Sequence, residues 1–165
     1  MTNKSTQLRI VVMSYFPEFI LAPLLNSPHK LIGLISFEAK KGLLKTTLRH
    51  VYWLLTRFTL APNNEKICQK NNIAYRIESG KLGDDLSNWL EDLSADIMIL
   101  YSAPMIPQKI VDTTKIGCLN IHPSLLPKYR GPRPIVWMAK DYDLMGGASI
   151  FFIDKGSDTG NIVNQ

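Results

Sequence analysis

The sequence has 165 residues, of which 45% are hydrophobic and 20% are charged. This mixture excludes a disordered chain, and the length suits one domain with a sizeable core. The two cysteines, Cys68 and Cys118, have no C-x-x-C spacing, which excludes a disulfide framework and predicts buried thiols and no metal site. No apolar run reaches the about 18 residues that a membrane-spanning helix needs, and the N-terminus lacks a signal-peptide pattern, so we expect a cytoplasmic protein.

The first predicted elements are a strand, a helix and a second strand. Residues 8–13 form a short β-branched apolar run, which is typical of a strand, and Pro17 suits the first turn of a helix over 17–27. Residues 30–37 repeat the strand pattern. The loop after the first strand, SYFPEF, contains no glycine and is not a G-x-G-x-x-G turn, which argues against an NAD-dependent dehydrogenase.

The net charge of +5 comes from the N-terminal part of the chain, because residues 1–60 hold eight Lys and Arg against two Asp and Glu. Much of the excess falls in residues 39–61, where basic and bulky apolar residues alternate at near-helical spacing. A basic amphipathic helix can bind a membrane surface, nucleic acid or an acidic partner. We favour the alternative that this helix packs its apolar face against the core or against a second subunit in a homodimer.

The remaining chain continues the alternation of strands and helices. Helical patterns cover residues 63–72 and 82–93. Strand patterns cover four further segments: 73–77, 95–103, 116–122 and 148–153. This order predicts an α/β fold with a doubly wound, mostly parallel sheet flanked by helices. Ligands of such sheets bind beyond the carboxyl ends of the strands, which selects the loops after Met13, Tyr101 and His122.

Polar side chains gather at the end of the predicted strand 116–122. Asn120 and His122 are two residues apart, so on a strand they point to the same side. Pro123 ends the strand, and Pro127 stiffens the loop that follows. A lone histidine at a strand end is more often structural than catalytic. Asn120 and the two prolines weaken that preference without reversing it.

An acidic partner for the imidazole can come from the segment after the last predicted strand. Asp154 and Asp158 flank a turn rich in glycine and serine, and either carboxylate could orient His122. An ordinary turn uses the same residue types, so the segment by itself does not separate the two possibilities.

Together, GCLNIHPSLLPKYRG and DKGSDTG resemble the signature of the folate-dependent formyltransferase family. That signature is Asn-x-His-Pro-Ser-Leu-Leu-Pro followed further along by Asp-x-Gly, and here Asn120, His122 and Asp158 occupy those places. Ser149 matches a Ser/Thr position of the same signature. The resemblance is strong over residues 117–165 and weaker from residue 8 onward.

The resemblance implies a Rossmann-like formyltransferase fold and transfer of a formyl group from 10-formyltetrahydrofolate to a primary amine, without a metal. Asn120 and a protonated His122 would donate hydrogen bonds to the oxygen that gains negative charge, and Asp158 would orient the imidazole and help to move the proton of the amine. Further residues are implied to hold the folate: Pro104, Met105, Ile106, Pro107 and Ser149.

The acceptor is predicted by elimination within this family. Members that act on glycinamide ribonucleotide carry a glycine-rich loop after the first strand, which SYFPEF replaces here. Methionyl-tRNA formyltransferases resemble LLPKYRGPRPI but add a C-terminal β domain. We therefore predict a nucleotide-linked amino sugar as acceptor and disfavour nucleic acid. We also expect residues 1–165 to form a single catalytic domain that is incomplete at its C-terminus, where family members continue with further strand and helix.

Four alternatives stay open at this point. A methionyl-tRNA formyltransferase-like catalytic domain would use the amine of a charged tRNA as acceptor. A deformylase would use water as acceptor on the same three residues. A hydrolase would use His122, Ser124 and Asp158 as a triad, although Ser124 lacks the G-x-S-x-G elbow that exposes such a nucleophile. A non-catalytic binding module would use residues 39–61 as its functional surface.

Overall fold

The computed structural model describes residues 6–37, 63–79 and 82–165. The strands are β1 (Arg9–Ser14), β2 (Lys30–Phe37), β3 (Ala74–Glu78), β4 (Ile97–Tyr101), β5 (Gly117–His122), β6 (Ser149–Phe152) and β7 (Ile162–Asn164). The helices within the described ranges are α1 (Glu18–Leu25), α2 (Asn64–Lys70), α3 (Asp84–Leu93), α4 (Gln108–Val111) and α5 (Pro134–Lys140). The predicted basic helix over 39–61 lies outside the described residues.

The strands form one sheet in the order β3-β2-β1-β4-β5-β6-β7. Strands β1 to β5 are parallel, whereas β6 pairs antiparallel with β5 and β7 pairs antiparallel with β6. The predicted doubly wound, mostly parallel sheet is therefore confirmed. All six predicted strands are present, and β7 is an addition that the sequence pattern did not indicate. None of the helices in the described ranges is long and apolar enough to cross a bilayer.

Both faces of the sheet are covered, and the central strand β1 shows why. Its alternate side chains enter two separate cores: Val11 and Met13 pack with the apolar face of α3, while Ile10 and Val12 pack with α1 and α2. All four side chains are buried. A strand that is covered on both faces has no polar side, which explains the uninterrupted apolar run in the sequence.

The two cysteines lie inside these cores, as predicted. Cys68 of α2 and Cys118 of β5 are buried, and neither forms a disulfide. Burial raises the pKa of each thiol to about 11. Both side chains therefore remain neutral packing groups and take no part in the chemistry of the site.

Candidate active site

A cavity of about 1040 Å³ lies beyond the carboxyl ends of β1, β4 and β5. The turn after β1 contributes Phe16 to its lining, and the first turn of α1 contributes Phe19. The segment after β4 contributes residues 102–106, and β5 contributes Asn120 and His122. Strand order changes direction between β1 and β4, because β2 and β3 lie to one side of β1 and β4 to the other. The cavity thus lies where ligands usually bind in doubly wound sheets.

His122 ends β5 and is 5% exposed. Its Nε2 atom lies 2.8 Å from the carbonyl oxygen of Tyr129. A carbonyl oxygen only accepts, so Nε2 must carry a proton in either charge state of the ring. The other nitrogen, Nδ1, lies 3.7 Å from Oδ2 of Asp158. This distance exceeds that of a direct hydrogen bond, so Nδ1 is not committed to the carboxylate.

Asp158 reaches His122 from the loop that follows β6. The loop starts with a hydrogen bond from the Ile153 N–H to the Cys118 carbonyl, at 2.8 Å, and five residues later its Asp158 carboxylate lies beside His122. The Asp158 side chain is 16% exposed, and its Oδ2 accepts a hydrogen bond from the Gly131 N–H at 2.7 Å. The Gly131 N–H therefore fixes the position of the carboxylate, which lines the cavity.

The second acid of this segment has a local role. Oδ1 of Asp154 accepts hydrogen bonds from the Thr159 hydroxyl at 2.7 Å and from the Gly156 N–H at 2.9 Å. These bonds hold the pKa of Asp154 below its ordinary value. Of the two carboxylates that the sequence left open, the structure brings Asp158 to His122 and uses Asp154 to close the turn.

Asn120 projects from β5 on the same side as His122, as their spacing predicted. Its half-buried side chain lines the cavity together with His122 and Asp158. On the neighbouring strand, Asn120 is paired with the buried Phe151, whose ring also lines the cavity. An amide, an imidazole and a carboxylate thus share one wall.

The predicted folate-binding residues divide into two groups. Pro104, Met105 and Ile106 line the cavity in a segment without helix or strand, and the Met105 side chain is 84% exposed. Pro107 caps α4, and Ser149 lies at the start of β6; neither belongs to the lining. Direct folate contacts at Pro107 and Ser149 stay predictions.

Two buried hydroxyls hold the loop after β5. The Ser149 hydroxyl, fully buried, donates to the Ser124 carbonyl at 2.7 Å and accepts from the Leu126 N–H at 3.0 Å. Ser124 is also fully buried, and its hydroxyl donates to the Lys128 carbonyl at 2.8 Å. A buried hydroxyl that is committed in this way is a poor nucleophile, which argues against the hydrolase triad.

Several groups at the site were missed from the sequence. The Tyr129 carbonyl and the Gly131 N–H are backbone groups, and only the glycine after Arg130 hinted at a tight turn. Gly131 has φ +89 and Tyr129 has φ +55, both in the left-handed region. The cavity lining also includes two cations, Arg133 and Lys155. Exposed basic residues are common, so no pattern singled these two out.

A protein-family model described as "Formyl transferase" matches residues 56–165, which is about two thirds of the chain. The chain belongs to the formyl transferase family. The resemblance inferred from Asn120, His122 and Asp158 is thereby confirmed. Within the described ranges of this formyl transferase family member, no three His, Cys, Asp or Glu side chains lie close enough together to hold a metal ion.

Curated relatives of this family member include methionyl-tRNA formyltransferases. The protein from Syntrophus aciditrophicus (strain SB) is 39% identical over 77 residues, which cover 46% of this chain and 25% of that protein. The protein from Borrelia hermsii (strain HS1 / DAH) is 34% identical over 107 residues, which cover 64% of this chain and 35% of that protein. The similarity thus spans only a quarter to about a third of these relatives.

Solved structures of other formyl transferases share the fold. Glycinamide ribonucleotide transformylase 1 from Symbiobacterium toebii superposes with a TM-score of 0.72 at 18% identity, covering 99% of this chain and 74% of that one. A formyltetrahydrofolate deformylase from Pseudomonas syringae pv. tomato str. DC3000 gives a TM-score of 0.66 at 18% identity, covering 97% and 50%. These likenesses confirm the Rossmann-like formyltransferase fold.

Proposed function

We propose that this protein transfers a formyl group from 10-formyltetrahydrofolate to a primary amine. The observation that carries the proposal is the convergence of Asn120, His122 and Asp158 on one wall of a cavity of about 1040 Å³. Small-molecule sites usually measure about 300–1,000 Å³, so the cavity has room for a donor and an acceptor together.

The residues present fit a folate. When bound, 10-formyltetrahydrofolate supplies a formyl carbon that an amine can attack. The apolar side chains of Met105 and Ile106 would cover the faces of the pterin ring, and Met105 is exposed enough to gain most of its burial from such a ligand. Main-chain groups of residues 103–106 would meet the polar edge of the ring. Ser149 enters the proposal through the loop that it holds, and a direct folate contact at Ser149 or Pro107 is not needed.

Asn120 and His122 would stabilise the negative charge that develops on the formyl oxygen. The Tyr129 carbonyl occupies Nε2 of His122, so only Nδ1 is available to donate toward the cavity. A ring protonated at both nitrogens carries a positive charge, which the Asp158 carboxylate at 3.7 Å compensates. A preorganised donor of this kind contributes on the order of 3 kcal/mol in a water-excluded site.

Asp158 would also handle the proton of the reaction. The amine loses a proton when the new C–N bond forms, and the leaving nitrogen of the folate must gain one. A carboxylate beside the reacting centre can accept the first proton, directly or through water, and return it to the leaving nitrogen. The hydrogen bond from Gly131 keeps Asp158 in place during this exchange.

Two acceptors are in contention. The sequence predicted an amine on a nucleotide-linked sugar. The curated relatives that are 34–43% identical are methionyl-tRNA formyltransferases, which favours the amine of a charged tRNA as a second candidate. Both acceptors carry phosphate, which Arg133 and Lys155 in the cavity lining are suited to meet.

The test uses a formyl-labelled donor with an amino-sugar nucleotide, with methionyl-tRNA, and with no amine. We expect label to move to one of the two amines. Asn120→Ala, His122→Ala and Asp158→Ala should each lower the rate by about a hundredfold or more, while a stable folate analogue still binds in a calorimetric titration. Asp92→Ala, which removes an exposed carboxylate from α3, should leave the rate unchanged.

Other outcomes identify the alternatives. Release of labelled formate without an amine, at the same rate as with one, would identify a deformylase. Absence of both transfer and release, with no folate binding, would refute the proposal and favour a binding module. Equal rates for the wild type and all three site variants would show that the catalytic assignment is wrong.

A further inference from the structure

We propose that Ser149 is a positioning residue for catalysis, which acts by anchoring the loop over residues 123–131. This inference rests on the proposed function, because it takes His122 and Asp158 as the reacting groups. The sequence marked Ser149 as a folate contact, but its hydroxyl is fully buried and engaged with the loop.

One short loop holds both reacting groups. The Tyr129 carbonyl accepts the hydrogen bond of His122 at 2.8 Å, and the Gly131 N–H donates to Asp158 at 2.7 Å. These two backbone groups are separated by a single residue, so they move together. Any shift of the loop therefore changes the orientation of the imidazole and of the carboxylate at the same time.

Ser149 fixes the beginning of this loop from the adjacent strand. It is the residue paired with His122 across the β5–β6 ladder. Its hydroxyl donates to the Ser124 carbonyl and accepts from the Leu126 N–H, which requires a group that can do both. The Gln165 side chain adds a third bond, donating to the same hydroxyl at 2.9 Å.

A path of hydrogen bonds, completed by the peptide unit between Lys128 and Tyr129, leads from Ser149 to the imidazole. Ser149 holds the Ser124 carbonyl, and the Ser124 hydroxyl in turn holds the Lys128 carbonyl at 2.8 Å. The next carbonyl along the chain is that of Tyr129, the acceptor for His122. The Tyr129 hydroxyl is fixed as well, since it donates to Asp143 at 3.0 Å.

A purely structural role for Ser149 predicts a different result from a positioning role, and the chain offers a matched control. Ser87 of α3 is also fully buried, and its hydroxyl has no hydrogen-bond partner among the described residues. Ser87→Ala thus removes a hydroxyl of equal burial that holds no loop. Ser149→Thr keeps a hydroxyl at the critical position.

The experiment measures the ring tautomer of His122 by ¹⁵N NMR at alkaline pH, together with kcat and KM for formyl transfer. We expect the wild type, Ser87→Ala and Ser149→Thr to hold the proton on Nε2. In Ser149→Ala the tautomers should mix and kcat should fall by about tenfold or more, whereas KM for the donor changes less than about twofold. If Ser149→Ala does not fold, Ser124→Ala removes the hydrogen bond to the Lys128 carbonyl and should give the same mixture of His122 tautomers.

A Ser149→Ala protein with the wild-type tautomer and the wild-type kcat would overturn the inference. A rise in KM with kcat unchanged would also overturn it, because that pattern belongs to a direct folate contact. If the wild type transfers no formyl group, the proposed function fails, and the tautomer comparison still decides whether Ser149 positions His122.

Discussion

Replacing Gly160 with alanine tests whether the loop after β6 sets the position of Asp158. A Cβ atom at residue 160 would overlap the carbonyl oxygen of Phe152 and lie 2.8 Å from its carbonyl carbon. A carbon atom and a carbonyl oxygen pack at about 3.3–3.6 Å, and the overlap with the oxygen is the more severe of the two, so the two backbones would have to separate by more than about 1 Å. The overlap cannot be relieved by moving a side chain, because both Phe152 atoms are main-chain atoms of β6.

The consequence should be visible in catalysis. Asp158 lies two residues before Gly160, and a misplacement of about 1 Å can cost about a hundredfold in rate, equivalent to about 2.7 kcal/mol. Overpacking adds a loss of about 1–3 kcal/mol in the free energy of unfolding, which lowers Tm by on the order of 5 °C. The assays are single-turnover formyl transfer and thermal unfolding.

Gly146→Ala is the control for this substitution. A Cβ at residue 146 would have Met138 as its nearest neighbour, at 3.9 Å, which is ordinary contact distance. We expect that variant to behave as the wild type. Should Gly160→Ala match the wild type in both Tm and transfer rate, the loop does not control the placement of Asp158, and the reasoning is refuted.

Three further predictions concern stability and ligand binding. Hydrogen bonds from Lys115 and from the Arg9 N–H hold the pKa of Asp96 below its ordinary value, so this carboxylate stabilises the fold above its unfolded pKa of about 3.9 and loses that effect as the pH falls through the folded value. Asp96→Asn should therefore reduce the fall of Tm below about pH 4. The same fall of Tm in the variant and the wild type would contradict this. Phe151→Ala should cost about 3–5 kcal/mol in chemical denaturation because the ring is 2% exposed, and a loss below about 1 kcal/mol would show that the ring is not packed as described. Met105→Ala should weaken binding of a folate analogue by about tenfold with Tm unchanged, since the side chain is 84% exposed before a ligand covers it, and equal affinity would place the pterin elsewhere.

The strands were predictable because burial on both faces leaves a direct mark in the sequence. A segment such as IVVM in β1 has no polar position, and its β-branched residues favour a covered strand over a buried helix. Asn120 and His122 were predictable for a related reason, since a spacing of two on a strand fixes their common side. The family signature then supplied Asp158, which spacing alone could not distinguish from Asp154.

The elements that were missed carry no such mark. All three residues of β7 are exposed, and α5 leaves Ile135 and Trp137 64% and 48% exposed, so their apolar residues do not follow a buried face. At the site, the groups that hold His122 and Asp158 are main-chain atoms. A carbonyl or an N–H is the same in every residue, so only the folded path of the loop shows which one reaches the imidazole.

The turn after β1 has a practical consequence for protein engineering. Phe16 of the turn and Phe19 of α1 are 49% and 66% exposed, and their rings meet edge to face at 6.5 Å. The backbone of the turn is tied to the loop after β4 by a hydrogen bond from the Tyr15 N–H to the Ser102 carbonyl. Side chains at 16 and 19 can therefore be exchanged at little cost in folding. A combinatorial library confined to these two codons would vary the shape offered to incoming molecules while the amide, imidazole and carboxylate stay where they are.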